Sequence, residues 1–275
     1  MSDRIRNGVW AALFCLAATV LLPATALAEE APEGWEGRAT LYGWFPSIGG
    51  ALSFPGGSSG PSIQADASDI IGNLNFTLMG TFEARKGKFG LWTDLIYLDV
   101  GGSGSESRQF TVGGQEVPGD VRFDAELNIT SWIVTAAGTY LLDRTPRNEI
   151  AFVMGVRTLS LDQTVDWKAS GNIGSIGLPG CSGSADAGAT NWDAIVGLKG
   201  LATLSKSGHW ILPYYVDVGA GESDLTWKAF AAIGYRFTWG ATTLGWSYLD
   251  YEFDTDGSLL DLSANGPFAG LTFFW

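Results

Sequence analysis

Apolar and polar residues alternate along several segments of the chain with the two-residue period of β-strands. In the segment 75–86, apolar residues and glycine occupy alternate positions, and mainly polar residues lie between them. The same alternation recurs at 190–204, 210–218 and 225–237. After residue 28, no segment offers the roughly 20 consecutive apolar residues that a membrane-spanning helix needs. The pattern therefore predicts an all-β protein.

Long and short connections alternate between the predicted strands. Gly- and Ser-rich loops at 47–74, 102–120 and 166–189 contrast with short turns between the other strands. This alternation is typical of outer-membrane barrels, which have short periplasmic turns and longer extracellular loops. We therefore predict a transmembrane antiparallel up-and-down β-barrel of about ten strands, with twelve or eight as alternatives. A small hairpin within 50–67 gives twelve if it joins the wall.

The composition of the two strand faces indicates which side meets lipid. In the segment 225–237, Trp227, Tyr235 and other apolar side chains share one face, while Lys228 and Arg236 share the other. Aromatic residues near both ends of an apolar face are typical of the interfacial belts of membrane proteins. Charged residues make up only 16% of the chain, against about 25% in soluble domains. We infer that the apolar faces point outward to lipid and the polar faces line the lumen.

Two segments depart from regular alternation. After Arg157 the apolar positions change phase, which predicts a β-bulge there. In the segment 242–254, Trp246 and Tyr248 share a face with Asp250. That arrangement predicts that these two aromatic side chains fill part of the lumen.

The polar faces of the predicted strands carry both acidic and basic residues, so we expect a charged network inside the barrel. Charges on neighbouring strands alternate in sign, and opposite charges can pair across a β-ladder. We interpret the network as a plug that fills and rigidifies a narrow barrel. The alternative is a charged constriction that selects small solutes. The predicted network consists of Glu83, Arg85, Asp94, Arg157, Asp193, Lys199, Asp217, Lys228, Arg236 and Asp250.

The first 28 residues have the features of a cleaved secretory signal. Arg4 and Arg6 form a basic start, residues 9–22 an apolar core, and Ala26 and Ala28 the small residues of a cleavage site. We therefore expect the chain to be exported across the inner membrane.

Cleavage after residue 28 leaves a short periplasmic lead, residues 29–37, and a single barrel domain, residues 38–275. The net charge is −13, and removal of Asp3, Arg4 and Arg6 makes it −14. This acidic balance argues against nucleic-acid binding, which needs basic patches to neutralise phosphate.

Few residues offer catalytic or metal-binding chemistry. His209, the sole histidine, falls in a predicted short turn on the periplasmic side, where a general base would meet no outer-leaflet substrate. Cys181 is the one cysteine of the mature chain and closes no intramolecular disulfide. The segment 252–257 echoes half of a calcium loop, but Ser263 stands where the final glutamate should be. We predict no enzyme activity, no metal site and no cofactor.

The end of the chain has the features of a terminal barrel strand. Residues 266–275 alternate, and the spacing of Gly270, Phe273 and Trp275 resembles the signal by which bacterial outer-membrane barrels are handed to their assembly machinery. Ala269 replaces the large polar residue usual before that glycine. We expect this strand to pair with the segment 38–46 and so close the barrel.

Two longer stretches, 73–99 and 212–253, resemble a group of proteobacterial outer-membrane β-barrel proteins of unassigned function. The resemblance implies the fold and a location in the Gram-negative outer membrane, and it supplies no catalytic or binding residues. The partners that we expect are outer-membrane lipid, lipopolysaccharide and the barrel-assembly machinery, and we expect a monomer.

Three functions are compatible with these features. The first is a narrow channel or a passive structural barrel with a lumen filled by charged side chains. The second is a surface-binding or adhesive protein that acts through its extracellular loops. The third, an outer-membrane enzyme, is disfavoured by the position of the single histidine.

Overall fold

The computed structural model describes residues 34–54, 58–65, 67–112, 115–173, 176–253 and 259–275. The predicted signal segment with Ala26 and Ala28, and most of the predicted lead, lie outside the described residues. In chain order the elements are β1 (Trp35–Trp44), β2 (Ser47–Phe54), β3 (Ser58–Ala65), α1 (Ala67–Gly72), β4 (Leu74–Lys86), β5 (Phe89–Val112), β6 (Gln115–Arg144), β7 (Asn148–Ile173), β8 (Ile176–Thr203), β9 (Trp210–Gly221), β10 (Leu225–Arg236), β11 (Gly240–Glu252) and β12 (Leu259–Phe274).

Ten strands close into an antiparallel barrel. The sheet runs β1-β4-β5-β6-β7-β8-β9-β10-β11-β12, and β12 pairs back onto β1. This closing seam extends from Arg38↔Phe274 to Trp44↔Phe268. The predicted ten-strand barrel, closed by the end of the chain, is confirmed.

The predicted hairpin is present as β2 and β3, outside the ten-strand ring. β2 pairs with the part of β12 that lies beyond the β1 seam, from Asn265↔Ser47 to Leu259↔Leu52. β3 pairs only with β2. The ring therefore keeps ten strands, and the alternatives of twelve and eight are wrong.

Four neighbouring strands are much longer than the rest. β5 to β8 contain 24 to 30 residues, whereas β9 to β11 contain 12 or 13. At about 3.4 Å per residue and a tilt of about 40°, 12 residues rise about 30 Å and 30 residues about 80 Å. The segments 102–120 and 166–189, predicted as loops, are therefore mostly strand. Their Gly- and Ser-rich sequence hides the strands because neither face there needs the apolar side chains that produce alternation.

The outer face of the barrel carries two belts of exposed aromatic side chains. One belt lies at the short-turn end and includes Trp35, Phe89, Trp210, Trp239 and Trp275. The other lies toward the long-strand end and includes Trp132, Trp192 and Trp246. On β10, Trp227 in the second belt lies ten residues before Phe237 in the first, a rise of about 26 Å at the usual strand tilt. That separation matches the apolar band of about 25 Å on an outer-membrane barrel.

The lumen is filled in two layers. Ion-paired charged side chains occupy the lumen from the short-turn end up to Lys228 on β10. An apolar cluster of Trp44, Met79, Ile96, Leu159 and Leu249 occupies the long-strand end. Among the described residues, no helix is long and apolar enough to cross a membrane.

Three sequence predictions fail where the inner face becomes apolar. The ladder runs without a register shift through Arg157, so the predicted bulge is absent, and Arg157 and Leu159 are both buried inside. On β11, Leu249 faces the lumen and Trp246 faces out, 55% exposed. Tyr248 and Asp250 lie on the outer face with Trp246, so the predictions that Trp246 and Tyr248 fill the lumen and that Asp250 joins its charges are wrong.

Candidate functional site

The charged layer nearest the short turns links β1, β4, β6 and β7. Arg38 Nη2 donates to both carboxylate oxygens of Glu149 at 2.8 Å, and Arg85 Nη1 donates to the same carboxylate at 3.0 Å. Arg85 also pairs with Glu36 at 3.2 Å, and Arg144 binds Glu36 through two hydrogen bonds of 3.0 Å. Because each carboxylate is shared between arginines, this layer is one connected network.

A middle layer spans the lumen with two ion pairs. Lys199 on β8 binds Glu83 on β4 at 2.8 Å, and Lys228 on β10 binds Asp94 on β5. β5 and β10 are five strands apart in a ring of ten, so the second pair joins opposite walls. Tyr42 donates its hydroxyl to Asp94 at 2.7 Å.

The innermost pair joins Arg157 on β7 to Asp217 on β9, and neither side chain has any exposed surface. Tyr215 donates its hydroxyl to the same Asp217 carboxylate, and the Lys228 backbone N–H donates to it at 3.1 Å. Arg157 also donates to the Thr135 hydroxyl at 3.3 Å. Each charge therefore has several partners, which is the condition under which buried charges persist.

The pairing partners differ from those that the sequence predicted. Arg157 and Asp193 are Cα partners on neighbouring strands, as are Lys228 and Asp217. Their side chains reach past these neighbours: Arg157 binds Asp217 two strands away. The side chains of a narrow barrel converge on its axis, so long basic side chains meet carboxylates across the lumen.

Three predicted members lie apart from these layers. Asp193 is buried and accepts hydrogen bonds from the Ser223 backbone N–H at 2.9 Å and from the Asn191 side chain. Arg236 lies at the short-turn end with its guanidinium 5.7 Å from the Phe274 ring centre. Asp250 lies on the outer face and accepts a hydrogen bond from Tyr248 at 3.3 Å.

Several members of the network were missed by sequence reasoning. Glu36 was placed in the lead and Glu149 beside a turn, while Arg38 and Arg144 sit near strand ends where alternation is short. The sequence did contain a signal for Arg38. Arg38 and Tyr42 occupy alternate positions of β1 that share one face, and that face points inward.

A cavity of about 160 Å³ lies among the charged side chains. Arg38, Glu83, Asp94, Lys199 and Lys228 supply its charged lining. Aromatic rings supply much of the rest: Trp92 packs against Tyr215 at 4.9 Å, and the Lys199 ammonium lies 5.1 Å from the Trp92 ring centre. This space is large enough for several water molecules.

The predicted assembly residues lie on the closing seam. Trp275 exchanges two backbone hydrogen bonds with Gly37, at 2.8 and 3.1 Å, and its ring covers the Gly37 Cα. Phe273 is exposed on the outer face, and Gly270 is buried. The geometry places these residues where strand closure occurs, and their role as a signal stays a prediction.

His209 lies just beyond the end of β8 at Thr203, far from Cys181 near the start of that strand, and residues 254–257 of the calcium-like segment lie outside the described residues. His209 stacks on Tyr235 with ring centres 5.3 Å apart, next to the short turn between β8 and β9. Cys181 is exposed on β8. Within the described ranges, no group of three or more His, Cys, Asp or Glu side chains is arranged to hold a metal ion.

Comparison with solved structures places this architecture among known folds. The outer-membrane protease OmpT of Escherichia coli matches with a TM-score of 0.53 over 92% of this chain and 100% of OmpT, at 10% identity. The chain has the fold of the Gram-negative outer-membrane β-barrels. Because the sequence identity is only 10%, the match to OmpT shows the fold of this chain and says nothing about the activity of this chain.

Other outer-membrane barrels match less closely. The translocator domain of the autotransporter NalP from Neisseria meningitidis gives a TM-score of 0.39 at 15% identity, covering 99% of this chain and 97% of that domain. The attachment invasion locus protein Ail of Yersinia pestis gives 0.31 at 10% identity, covering 89% and 100%. No protein-family model matches the sequence, and a comparison with curated proteins finds no match.

Proposed function

We propose that this protein resides in the outer membrane as a barrel whose lumen within the membrane is sealed to ions by its charged side chains. The observation that carries the proposal is the set of ion pairs that join different walls at three levels of the lumen. On this proposal the barrel is a plugged scaffold at rest, and the part beyond the plug is the part that meets ligands.

The energy needed to open the plug supports a sealed barrel. Arg157 and Asp217 are both fully buried, so an ion that displaces either side chain must separate the pair. Leaving one member of a buried pair without its partner costs about 3–5 kcal/mol. A barrier of that size at the innermost pair alone favours a closed lumen over a conducting one.

A second candidate function rests on the long strands. β5 to β8 project about 30–50 Å beyond a strand of 12 residues, at the usual rise and tilt. In the proposed orientation this four-stranded sheet stands outside the cell, where it could bind a surface or a macromolecule. A catalytic role is not part of the proposal, because the sole histidine packs against Tyr235 beside a short turn.

Solute uptake by liposomes that contain the refolded protein tests the seal. A plug-opened variant combines Asp94→Ala, Lys228→Ala, Arg157→Ala and Asp217→Ala, which removes two pairs without a change in net charge. We expect wild-type liposomes to resist swelling in L-arabinose and variant liposomes to swell. Asp250→Ala is the matched control, because Asp250 lies on the outer face and should leave the seal intact.

Heat-modifiable gel migration shows whether each variant has folded before its uptake is compared. If the plug-opened variant does not fold, the pairs Asp94→Ala with Lys228→Ala and Arg157→Ala with Asp217→Ala are tested separately. Rapid swelling of wild-type liposomes, matched by the Asp250→Ala control, contradicts the sealed barrel.

A further inference from the structure

A second cavity, of about 250 Å³, lies above the charged layers at the long-strand end of the lumen. We call it the apolar chamber. Its lining residues include Leu74, Met79, Ile96, Ile133, Leu159 and Leu249, and none of the described lining residues is charged. Thr77, Ser131 and Gln163 supply its few polar side chains. A space of this composition favours hydrocarbon over ions.

The barrel wall is split beside the chamber. β1 pairs with β4 only from Trp35↔Lys86 to Leu41↔Gly80. β4 then continues along β5 as far as Leu74↔Val100, without β1 on its other side. Among the described residues, no strand pairs with residues 74–79 of β4 on that side, so they form a free edge within an otherwise paired ring.

Hydrogen bonds at the end of β1 show how the split arises. The Phe45 backbone N–H donates to the Pro267 carbonyl of β12 at 3.0 Å, so the chain stays with β12 as it continues into β2. The Trp44 backbone N–H donates to the Met79 sulfur at 3.3 Å. A thioether thus replaces the carbonyl that a continued β1–β4 ladder would offer.

Both lips of the split line the chamber. Phe45 and Pro46 contribute from the β1–β2 junction, Leu74 and Thr77 from β4, and Ala67 of α1 lies beside them. Phe45 is also 41% exposed, so it borders both the chamber and the outer face. The split is therefore a lateral opening into the chamber.

The opening lies at the level of the second aromatic belt. Tyr97 and Trp132 of that belt pack together at 4.3 Å, and their chain neighbours Ile96 and Ile133 line the chamber. In the orientation of the proposed function, on which this step rests, this belt marks the outer surface of the membrane. An apolar molecule in the outer leaflet thus lies beside the opening.

We propose that the apolar chamber binds a hydrocarbon group, aromatic or alkyl, that enters sideways through the split between β1 and β4. An apolar cavity of about 150 Å³ inside a protein stays dry and binds benzene. The chamber is larger, so it accommodates a substituted ring or a segment of an acyl chain. The charged plug beneath it, with Arg157 and Asp217 fully buried, stops such a group from passing straight on to the periplasmic side.

Binding of radiolabelled p-xylene to nanodiscs that contain the protein tests the proposal. Ala264 lines the chamber and is 8% exposed, so Ala264→Phe fills the space from within. Val156→Phe is the control, because Val156 is 45% exposed on the outer face. The lipid takes up the same amount of p-xylene in all three preparations. The difference in p-xylene bound per protein therefore measures binding in the chamber.

We expect wild type and Val156→Phe to bind about one more p-xylene per protein than Ala264→Phe, as one apolar cavity should. Equal binding by all three overturns the proposal. Leu161→Trp, at another lining position, repeats the test if Ala264→Phe does not fold. Loss of the excess in Leu161→Trp supports the chamber, and its persistence overturns it.

Native mass spectrometry of protein purified from outer membranes distinguishes the source of the group. If a lipid stays bound to the purified protein, the natural occupant of the chamber is a membrane acyl chain. If the purified protein carries no lipid but still binds p-xylene, the natural occupant is a free hydrocarbon. These results are independent of the seal. If the barrel conducts ions and still shows the p-xylene excess, the proposed seal is wrong and the proposed hydrocarbon site is supported. If the barrel is sealed but shows no excess, only the proposed hydrocarbon site is wrong.

Discussion

The substitution Asp217→Asn should be among the most damaging single changes in the lumen. Asp217 receives hydrogen bonds from Arg157, from Tyr215 and from the Lys228 backbone N–H. Asparagine is nearly the same size but uncharged, so it removes the countercharge of the buried Arg157 guanidinium. Breaking a buried ion pair from one side costs about 3–5 kcal/mol.

That cost translates into a measurable shift in urea unfolding of the refolded barrel. With a slope of about 2 kcal/mol per molar urea, a loss of 3–5 kcal/mol lowers the midpoint by about 1.5–2.5 M. The folded-to-unfolded ratio falls by roughly two to four orders of magnitude, at about 1.4 kcal/mol per factor of ten. Tryptophan fluorescence follows the transition, and gel mobility of unboiled samples confirms it.

Two further variants test whether the cost comes from the unpaired Arg157. Asp250→Asn, on the outer face, should cost less than about 0.5 kcal/mol, as substitutions away from buried features usually do. Arg157→Met combined with Asp217→Leu should recover most of the loss, because apolar replacement of a whole buried pair is often neutral or stabilising. If Asp217→Asn unfolds at the same urea concentration as Asp250→Asn, the Arg157–Asp217 pair does not hold the lumen together.

Three further predictions concern the seam, the split and the outer face. Gly37→Val should slow folding into lipid and lower its yield, because a Cβ at Gly37 would lie 2.1 Å from the Trp275 ring. Trp275→Ala should share this defect in a gel-shift assay of folding. Trp210→Ala serves as the control, because Trp210 lies in the same belt and packs on Tyr235, away from the seam. Hydrogen exchange should be faster at β4 amides that face β1 in residues 74–79 than at those in 81–86, because β1 pairs only with the lower part; uniform protection along β4 counts against the split. Brominated lipids should quench a smaller fraction of the tryptophan fluorescence in Trp246→Phe than in wild type, because Trp246 is 55% exposed on the outer face. Unchanged quenching would mean that the Trp246 side chain faces the lumen.

The alternation of apolar and polar residues, together with the alternation of short and long connections, predicted a barrel of about ten strands. On β10, for example, Lys228 points inward and Trp227 outward, as the sequence pattern predicted. The pattern works there because the two faces meet chemically different surroundings. The final strand was also predicted from its alternating residues, and it pairs with β1 as predicted.

The same reasoning failed wherever the inner face is apolar. Leu159 follows Arg157 on the inner face. Because Leu159 is apolar, the apolar positions seemed to move to the other face after Arg157, and this wrongly indicated a β-bulge. On β11 the apolar inner residue Leu249 lies beside the polar outer residue Asp250, which reversed the assignment of Trp246. Both errors have one cause, the apolar chamber, which a pattern based on two contrasting faces cannot reveal.

The partners of the lumen charges also escaped prediction. Sequence spacing identifies which strands are neighbours, but the pairs Lys228–Asp94 and Lys199–Glu83 join strands four or five positions apart around the ring. Such pairs depend on the barrel radius and on side-chain length, and a single sequence states neither. The glutamates near strand ends, Glu36 and Glu149, were missed because a short stretch of alternation carries little signal.

Single-molecule conductance across a planar bilayer tests the sealed lumen most directly. Wild-type protein, inserted and folded, should produce no discrete current steps, whereas the plug-opened variant with alanine at positions 94, 157, 217 and 228 should produce them. Discrete steps from wild-type protein, unchanged in size by the four substitutions, would mean that these charged side chains do not seal the lumen.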